Sequence, residues 1–288
     1  IRIYFRYICV QNRSMYTEYQ PSHLLVPYID SYWEFKGNPD YGMRIHILPD
    51  GCTDFIFTLG EVANAVEEGS LIMQPYRSYF VGPMTKYSEL VTYTESIHMF
   101  GVRFLPCGLS CFTNLPLHEF VNSRISTNEM KAVFDDTFIE KLGEQKHVTD
   151  RIRVVEEYLL AYLARHYQPA DSHVAMAVNM INHSKGKRSV RSLMDDVCLC
   201  QRHFERKFKH YTGFTPKEYS RIVKFKNAVE LLRTTTSANL LTTAVDAGYY
   251  DLAHFSKEIK SMSGNTPASF LSLTVPEETT LTYIEPQR

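Results

Sequence analysis

Residues 190–271, VRSLMDDVCLCQRHFERKFKHYTGFTPKEYSRIVKFKNAVELLRTTTSANLLTTAVDAGYYDLAHFSKEIKSMSGNTPASFL, contain one pattern written twice. Each copy has a short apolar segment, a tight turn, a helical run and a final G-x-T-P sequence. Gly213 and Pro216 of the first copy correspond to Gly264 and Pro267 of the second. A duplicated unit of this length indicates that both copies do the same physical job.

The apolar spacing identifies the buried face of each helix. Phe204 and Phe208 lie four residues apart, as do Phe255 and Ile259, so each helix has one apolar edge. Cationic and hydrogen-bonding side chains lie on the other faces. A helix, a tight turn and a second helix of this kind predict a helix-turn-helix unit, whose second helix enters the major groove of DNA.

A single long helix is predicted between the two units. Pro216 opens it at a favoured early position. Helical spacing then continues for at least four turns through Tyr219, Ile222, Val223, Lys226, Val229 and Leu232. A stiff connection fixes the separation of the two units, so we expect them to meet successive major grooves on one face of the DNA.

The duplicated region resembles the AraC/XylS family of bacterial transcription regulators. The resemblance is carried by FKHYTGFTP, the linker helix after it, AVDAGYYDLAHFSKEIK and the final GNTP, over roughly the last hundred residues before the tail. The segment GYYDLAHF is similar to the subgroup whose second unit carries G-Y-x-D-x-[AS]-H-F. The resemblance implies a sequence-specific DNA-binding regulator that is not an enzyme, with RNA polymerase as a partner in activation.

The sequence departs from the family pattern in both turns. Cys200 stands where the family usually has a serine N-cap, and Cys198 where it usually has glycine. A thiol is a poor cap, so the first recognition helix loses up to about 1 kcal/mol of capping. Leu252 and Ala253 occupy positions that are often polar, so we expect the first unit to contribute more to specificity.

Ten residues of the two second helices are the predicted DNA contacts. They are Gln201, Arg202, Glu205, Arg206 and Lys209 in the first unit, and Asp251, His254, Ser256, Lys257 and Lys260 in the second. Arginine can grip guanine O6 and N7 with two donors. Three alternatives stay open. In the first, the arginines are solvated surface charges. In the second, Glu205 pairs with Arg202 or Lys209 instead of reading cytosine, and in the third, His254 is a polar core residue.

The charge distribution agrees with a DNA-binding C-terminal region. The net charge of the whole chain is -1, which taken alone argues against a nucleic-acid partner. Residues 171–275, however, hold 15 Lys and Arg against 9 Asp and Glu, leaving 16 basic and 23 acidic residues elsewhere. A basic module beside an acidic remainder is what phosphate attraction requires, and double-stranded DNA is the predicted partner.

Residues 19–125 read as mainly β. Strand-like runs at 28–35, 43–48, 53–59, 79–81, 89–94 and 99–104 are separated by turns such as Pro49–Gly51, and this spacing predicts a small barrel or sandwich. Four segments are similar to the N-terminal domain often fused to this subgroup: Tyr19–Pro21, Leu25–Trp33, Leu48–Phe57 and Gly101–Gly108. The predicted fold class is α+β, a β-rich barrel-like or sandwich-like domain followed by an all-α DNA-binding domain with two helix-turn-helix units.

The predicted organisation has four parts. These are a β-rich regulatory domain (15–148), a linker helix (149–170), the DNA-binding domain (171–275) and a solvated tail (276–288). The amphipathic helix at 150–167 has an apolar face that would support a homodimer. We expect residues 1–14 to be weakly ordered and to come from an upstream start in the gene model.

The N-terminal domain suggests a small-molecule effector. Its aromatic residues around Trp33 predict either an effector pocket or simply a packed core. Asp50 and Asp54, near Arg103, either shape a polar site or cap turns. His46 stands alone, without the other ligands of a metal-binding barrel, so we expect no metal and no cofactor.

The cysteines define the second function class that the sequence leaves open. Six are present (Cys9, Cys52, Cys107, Cys111, Cys198 and Cys200) with no CxxC pair and no zinc-finger spacing. The alternative function is a DNA reader fused to an enzyme domain whose reactive cysteine accepts alkyl groups from damaged DNA, and it depends on Cys107.

No run of 18 or more apolar residues occurs, so we expect a cytoplasmic protein without a membrane span.

Overall fold

The structure, a computed structural model, describes residues 7–10, 13–66, 69, 71–130, 133–134, 136–166, 168–197, 199–234, 240–272 and 282–284. These residues form a β-rich N-terminal region of two sheets and a helical C-terminal region. The predicted α+β class and the order of its two parts are confirmed. Neither sheet closes on itself, so the β-rich region is sandwich-like and not a barrel.

The strands follow the runs that the sequence predicts. In chain order they are β1 (Tyr7–Val10), β2 (Arg13–Tyr19), β3 (Ile29–Gly37), β4 (Met43–Ile47), β5 (Thr53–Thr58), β6 (Asn64–Ala65), β7 (Ser78–Val81), β8 (Ser88–Thr92), β9 (Ile97–Phe104), β10 (Arg124–Ser126) and β11 (Thr282–Ile284). The larger sheet has the order β1-β2-β3-β9-β5-β7-β10 and the smaller one β11-β4-β8-β6. The strand pairs described within both sheets are antiparallel.

Two helices cover one face of the larger sheet, and the smaller sheet covers the other. Alternation along β5 shows the two faces, because successive side chains point to opposite sides of a strand. Phe55 and Phe57 join the core beneath α1 (Asp136–Gly143) and α2 (Val148–His166). Ile56 joins the core shared with the smaller sheet. The N-terminal region therefore has three layers.

The turn at Pro49–Gly51 connects two sheets and not two paired strands. The runs on either side, β4 and β5, flank it in sequence, yet β4 pairs with β8 and β5 pairs with β7 and β9. Gly51 has a φ of 86°, in the left-handed region that glycine adopts without strain. The turn carries the chain from the smaller sheet to the larger one.

The apolar face of the helix predicted at 150–167 is packed inside the chain. On α2, Val155 and Leu159 are fully buried in the N-terminal core. Ile152, Tyr162 and Leu163 pack against the same core. The homodimer prediction rested on this face being exposed, and that premise is wrong because the larger sheet and α1 already cover it.

Both ends of the chain differ from the expectation. Residues 7–10 and 13–14, expected to be weakly ordered, lie in β1 and β2, which pair with each other. Residues 282–284, expected in a solvated tail, form β11 and pair with β4. Pairing with β11 covers the edge of β4 that would otherwise be unpaired. The remainder of 276–288 lies outside the described residues.

The C-terminal region is helical. Its helices are α3 (Ser172–His183), α4 (Val190–Val197), α5 (Gln201–Thr212), α6 (Pro216–Thr234), α7 (Leu240–Asp246), α8 (Leu252–Ser263) and α9 (Pro267–Ser272). Their apolar faces form one core around α6. Among the described residues, no helix has the length and apolar character needed to cross a membrane.

Candidate nucleic-acid interface

Two helix-turn-helix units lie on either side of α6. The first consists of α4 and α5, and the second of α7 and α8. Phe204 and Phe208 on α5 are fully buried, and so are Phe255 and Ile259 on α8. The apolar edges predicted from the sequence are therefore the faces that hold both recognition helices on the domain.

The opposite faces of both recognition helices are open to solvent. On α5, Gln201, Arg202, Arg206 and Lys209 are exposed and Glu205 is half-buried. On α8, His254, Lys257 and Lys260 are exposed, as is Asp251 just before the helix, and Ser256 is half-buried. The structure brings the ten predicted contacts onto two outward faces, while their contact with DNA stays a prediction.

The N-termini of the two recognition helices are capped differently. The Asp251 side chain accepts a hydrogen bond of 2.7 Å from the backbone N–H of His254, as an N-cap does. Cys200 stands at the same place before α5 and makes no side-chain capping bond. Asp251 is therefore occupied within the protein, and the poor cap predicted at Cys200 is present. Cys198 lies outside the described residues.

The C-termini of the two recognition helices repeat one arrangement that the sequence reasoning missed. The Thr212 hydroxyl lies 2.7 Å from the Phe208 carbonyl, and the Ser263 hydroxyl lies 2.7 Å from the Ile259 carbonyl. The glycines that follow, Gly213 and Gly264, have φ values of 83° and 77°. A left-handed glycine after a helix terminates it, and a Thr or Ser before each G-x-T-P sequence was the available signal.

Two open alternatives are resolved in part. Glu205 Oε1 accepts a hydrogen bond of 2.8 Å from Gln201 Nε2, so its partner is neither Arg202 nor Lys209. His254 is exposed, with its ring against Tyr249, and is not a core residue. The pairing of Glu205 holds two predicted contacts side by side on the open face of α5.

Helix α6, which joins the two units, is held by side-chain contacts at its N-terminus and again at Arg221. Thr215 and Glu218 form a capping box, with Thr215 N–H donating to Glu218 Oε2 at 2.7 Å and Glu218 N–H donating to Thr215 Oγ1 at 3.2 Å. Farther along, Arg221 pairs with the buried Glu258 of α8 at 3.1 Å. With 19 residues, α6 is about 28 Å long, close to the repeat of about 34 Å between successive major-groove sites.

The turn at Pro49–Gly51 of the N-terminal region seats α6. The fully buried Tyr219 lies against Gly51, where a Cβ would come within 2.7 Å of its ring. The Tyr219 hydroxyl donates to Asn182 Oδ1 of α3 at 2.9 Å. Leu48 and Cys107 belong to the same core as the recognition helices. The two regions therefore share part of one apolar core.

The basic segment before α4 is not uniformly available to phosphate. Arg188 donates to Ser192 Oγ at 3.0 Å and pairs with Asp196. Lys187 packs its side chain near Gly248 in the turn of the second unit. Lys185 lies in the turn after α3, and its φ of 52° is in the left-handed region. Arg188 thus orders the start of α4, and a DNA phosphate would have to compete with Asp196 for its guanidinium.

The polar residues around Arg103 form a buried ion cluster. Arg103 Nε lies 3.3 Å from Asp54 Oδ1 and 3.6 Å from Asp50 Oδ2, and Arg103 Nη1 lies 3.6 Å from Glu18 Oε1. Trp33 Nε1 donates to Asp54 Oδ1 at 2.7 Å. Burial alone lowers the pKa of Arg103, but the carboxylates outweigh it and raise that pKa above its ordinary value. Arg103 stays charged and tightly held.

Cys107, on which the alkyl-acceptor alternative depends, is poorly suited to react. It is buried where the two regions meet. Burial, followed by the neighbouring Cys111 and Asp171, raises the pKa of its thiol. A nucleophilic cysteine needs its thiolate form and access to the substrate, and neither is favoured at this position.

The second unit also exposes apolar residues that the sequence reasoning did not select. Tyr250, in the turn before α8, is 92% exposed, and Leu252 at the start of α8 is 38% exposed. Leu241 and Val245 on α7 are exposed as well. Apolar side chains at the start of a recognition helix can contact the methyl group of thymine.

Comparison with known proteins finds one family match within each region. Residues 193–272 match the family described as a helix-turn-helix domain, and residues 17–126 match the family described as a domain of unknown function (DUF6597). No curated protein matches the chain. The helix-turn-helix match spans both units described above and confirms them.

The solved structures that are similar to the chain include the following three. ToxT from Vibrio cholerae has 9% identity and a TM-score of 0.49, over 84% of this chain and 98% of ToxT. The C-terminal domain of AraT, a response regulator from Geobacillus stearothermophilus, has 20% identity and a TM-score of 0.34, over 38% of this chain and 92% of its own. A probable AraC family transcriptional regulator from Rhodopseudomonas palustris has 20% identity and a TM-score of 0.34, over 37% of this chain and 100% of its own.

Proposed function

We propose that this chain, whose residues 193–272 form an AraC-type helix-turn-helix domain, is a sequence-specific transcription regulator that reads two DNA boxes. One observation carries the proposal. Two equivalent recognition helices are mounted on one α6, and each turns an exposed, cationic face away from the core. Since both readers belong to one chain, binding of two boxes requires no second copy.

The two readers have different chemistry. Arg202 and Arg206 on α5 supply planar guanidinium groups that can bind guanine O6 and N7, so we assign base recognition to them. Lys209, Lys257 and Lys260 are flexible point charges, suited to phosphates. Tyr250 and Leu252 give the second reader an apolar start, which favours thymine methyl contacts. We therefore expect a box with guanine for α5 and a box with thymine for α8.

We assign regulation to the N-terminal region. It is attached to the readers through a shared core, so a ligand bound there can alter their position. A small-molecule effector, a contact with RNA polymerase during activation and a cytoplasmic location complete the proposal, which includes no enzymatic activity. The exposed faces of α7 that do not meet DNA are available for the polymerase contact.

Selection of binding sites from random duplex DNA tests the proposal. The full chain is compared with Arg206→Ala and with Arg153→Ala, a matched control on α2 whose side chain is 66% exposed and pairs only with Asp150 among the described residues. We expect two short boxes about 10 bp apart. Arg206→Ala should weaken binding by about 1–3 kcal/mol and relax the sequence of one box, while the control should leave both unchanged.

Two outcomes of the selection experiment would contradict the proposal. If binding is salt-sensitive but selects no sequence, the basic faces are generic and the proposal is wrong. If both arginine variants relax the same box equally, α5 does not read bases through Arg206.

A further inference from the structure

A cleft with a cationic lining lies at the edge of the N-terminal sandwich, beside β10. Its volume is about 450 Å³, within the range of about 300–1,000 Å³ that small-molecule sites occupy. Lys86 and Arg124 lie in its wall, together with hydrogen-bonding groups from Tyr87, Ser88 and Asn122. The described residues that line it include no carboxylate. Of these groups, Arg124 is the one whose surroundings favour an anion.

The cleft adjoins a small apolar pocket between the two sheets. The cleft and the pocket share Val81, Met84 and Arg124. The pocket has a volume of about 50 Å³. It is lined mainly by apolar side chains from both sheets: Phe35, Ile45, Ile47, Ile56, Leu90 and Met99. A ligand that fits both spaces has an anionic part in the cleft and a small apolar part between the sheets.

Arg124 lies between the two spaces, and its Nε atom is buried without a hydrogen-bond partner among the described residues. Burial lowers the pKa of this guanidinium, and no carboxylate in the described part of the chain offsets the effect. Arg103, which lines the same apolar pocket, is compensated by Asp54, Asp50 and Glu18. Arg124 is half-buried as a residue, and a partly desolvated cation without its counter-charge is unfavourable, so a bound anion would supply what Arg124 lacks.

The segment 82–87 connects this cleft to both recognition helices. Pro83 packs against Gly213 at the end of α5, where a Cβ would lie 2.6 Å from the proline ring. Tyr87 packs against Gly264 at the end of α8, where a Cβ would lie 2.7 Å from its ring. Met84, between them, lines the cleft. One short segment therefore touches the same point of both readers and the wall of the cleft.

We propose that the cleft between Lys86 and Arg124 binds a small organic anion with an apolar body, and that segment 82–87 couples its occupancy to DNA affinity. Movement of Met84 or Tyr87 on binding would shift the C-terminal ends of α5 and α8 together. The coupling rests on the proposed DNA-binding function, whereas the anion site stands without it.

Titration calorimetry of the full chain with three probes tests the site. Benzoate has charge and an apolar ring, inorganic phosphate has only charge, and benzamide has only the ring. We expect benzoate to bind more tightly than either, and Arg124→Gln to weaken benzoate at least tenfold, about one charged contact. Arg124→Lys restores the charge and should recover part of the affinity, while the exposed Arg77→Gln serves as the matched control and should match the wild type.

Several outcomes would overturn the site. They are equal affinity for benzamide and benzoate, unchanged benzoate affinity in Arg124→Gln, and no heat from either anion at about 10 mM. Equal affinity for phosphate and benzoate would overturn the part assigned to the apolar pocket. Thermal unfolding of each variant without probe separates loss of binding from loss of fold, because Arg124→Lys and Arg124→Gln must then unfold alike.

The coupling is tested with the selected DNA. Saturating benzoate should change the DNA Kd of the wild type at least about fivefold, and bound DNA should change the benzoate Kd by the same factor. Pro83→Ala removes the ring carbon that lies nearest Gly213, and residue 83 is outside the lining of the cleft, so the variant should keep benzoate affinity and lose most of the coupling. An unchanged DNA Kd in the wild type would overturn the coupling. If the chain selects no DNA while Arg124-dependent benzoate binding remains, the proposed function fails and the anion site stands.

Discussion

Asp171 provides a quantitative test of how the first recognition helix is held. Its Oδ1 atom accepts hydrogen bonds from the backbone N–H groups of His173 at 3.1 Å and Val174 at 3.2 Å, and so caps α3. Its Oδ2 atom receives Lys207 Nζ of α5 at 2.6 Å. One carboxylate therefore both starts α3 and ties it to the helix that we expect to read DNA.

Two substitutions separate these contributions. Asp171→Asn keeps a capping oxygen and loses the ion pair, which is worth about 0.5–1 kcal/mol because the Lys207 side chain is 32% exposed. Asp171→Ala also loses the cap, worth about 1 kcal/mol more. We expect unfolding free energies lowered by about 0.5–1 kcal/mol for Asn and about 1.5–2 kcal/mol for Ala at pH 7.

The dependence on pH follows from the pKa of Asp171. Burial raises this pKa, but the hydrogen bonds from Lys207 and the Val174 N–H group outweigh burial and lower it below its ordinary value of 3.8. A carboxyl group whose pKa is lower in the folded protein stabilises the fold above its unfolded pKa. The difference between the wild type and Asp171→Asn should be constant from about pH 7 to 5 and shrink as pH falls through the folded pKa.

Urea unfolding of the full chain at several pH values measures both effects. Asp150→Asn is the matched control, because Asp150 pairs with an Arg153 side chain that is 66% exposed, and its effect should stay below about 0.5 kcal/mol. Equal losses for Asp171→Asn and Asp171→Ala would show that the cap contributes nothing. A difference that persists undiminished below pH 3 would show that the charge of Asp171 is not its source.

Three further substitutions have expected outcomes in urea unfolding at pH 7. Gly101→Ala should cost about 3 kcal/mol or more, because its Cβ would lie 1.9 Å from Cε2 of the buried Trp33; a loss below about 1 kcal/mol would contradict this packing. Arg103→Met should cost about 3–5 kcal/mol by leaving Asp54 buried without its cation, and an unchanged midpoint would refute that reasoning. Cys200→Ser should gain about 0.5–1 kcal/mol by capping α5, and an unchanged free energy of unfolding would contradict this expectation.

The sequence predicted the helical domain well because local rules determine it. Phe204, Phe208, Phe255 and Ile259 show the period of a helix, and the duplicated Gly and Pro positions mark its ends, so each unit could be identified without knowing its neighbours. The strands were predicted for a similar reason. The short apolar run Phe55–Phe57 within TDFIFT, which follows the Pro49–Gly51 turn, indicates a buried strand.

What the sequence could not predict are the contacts between distant elements. The Pro49–Gly51 turn gave no sign that its two strands belong to different sheets, because strand pairing depends on residues far away in the chain. The same holds for α2, whose apolar face was identified although its partner was not. At the candidate cleft, Arg124 is an ordinary arginine in sequence, and only the sheets around it reveal its unpaired Nε atom.

The packing of Tyr219 against Gly51 limits how the helical domain can be joined to a different N-terminal region. Tyr219 is anchored to Asn182 on the helical side, while Gly51, Leu48 and Cys107 on the other side complete the packing around it. A gene fusion that moved the helical domain onto an unrelated partner would leave an apolar socket open to water. The Pro49–Gly51 turn and α6 therefore fit each other, and we expect a functional chimera to contain both from the same protein.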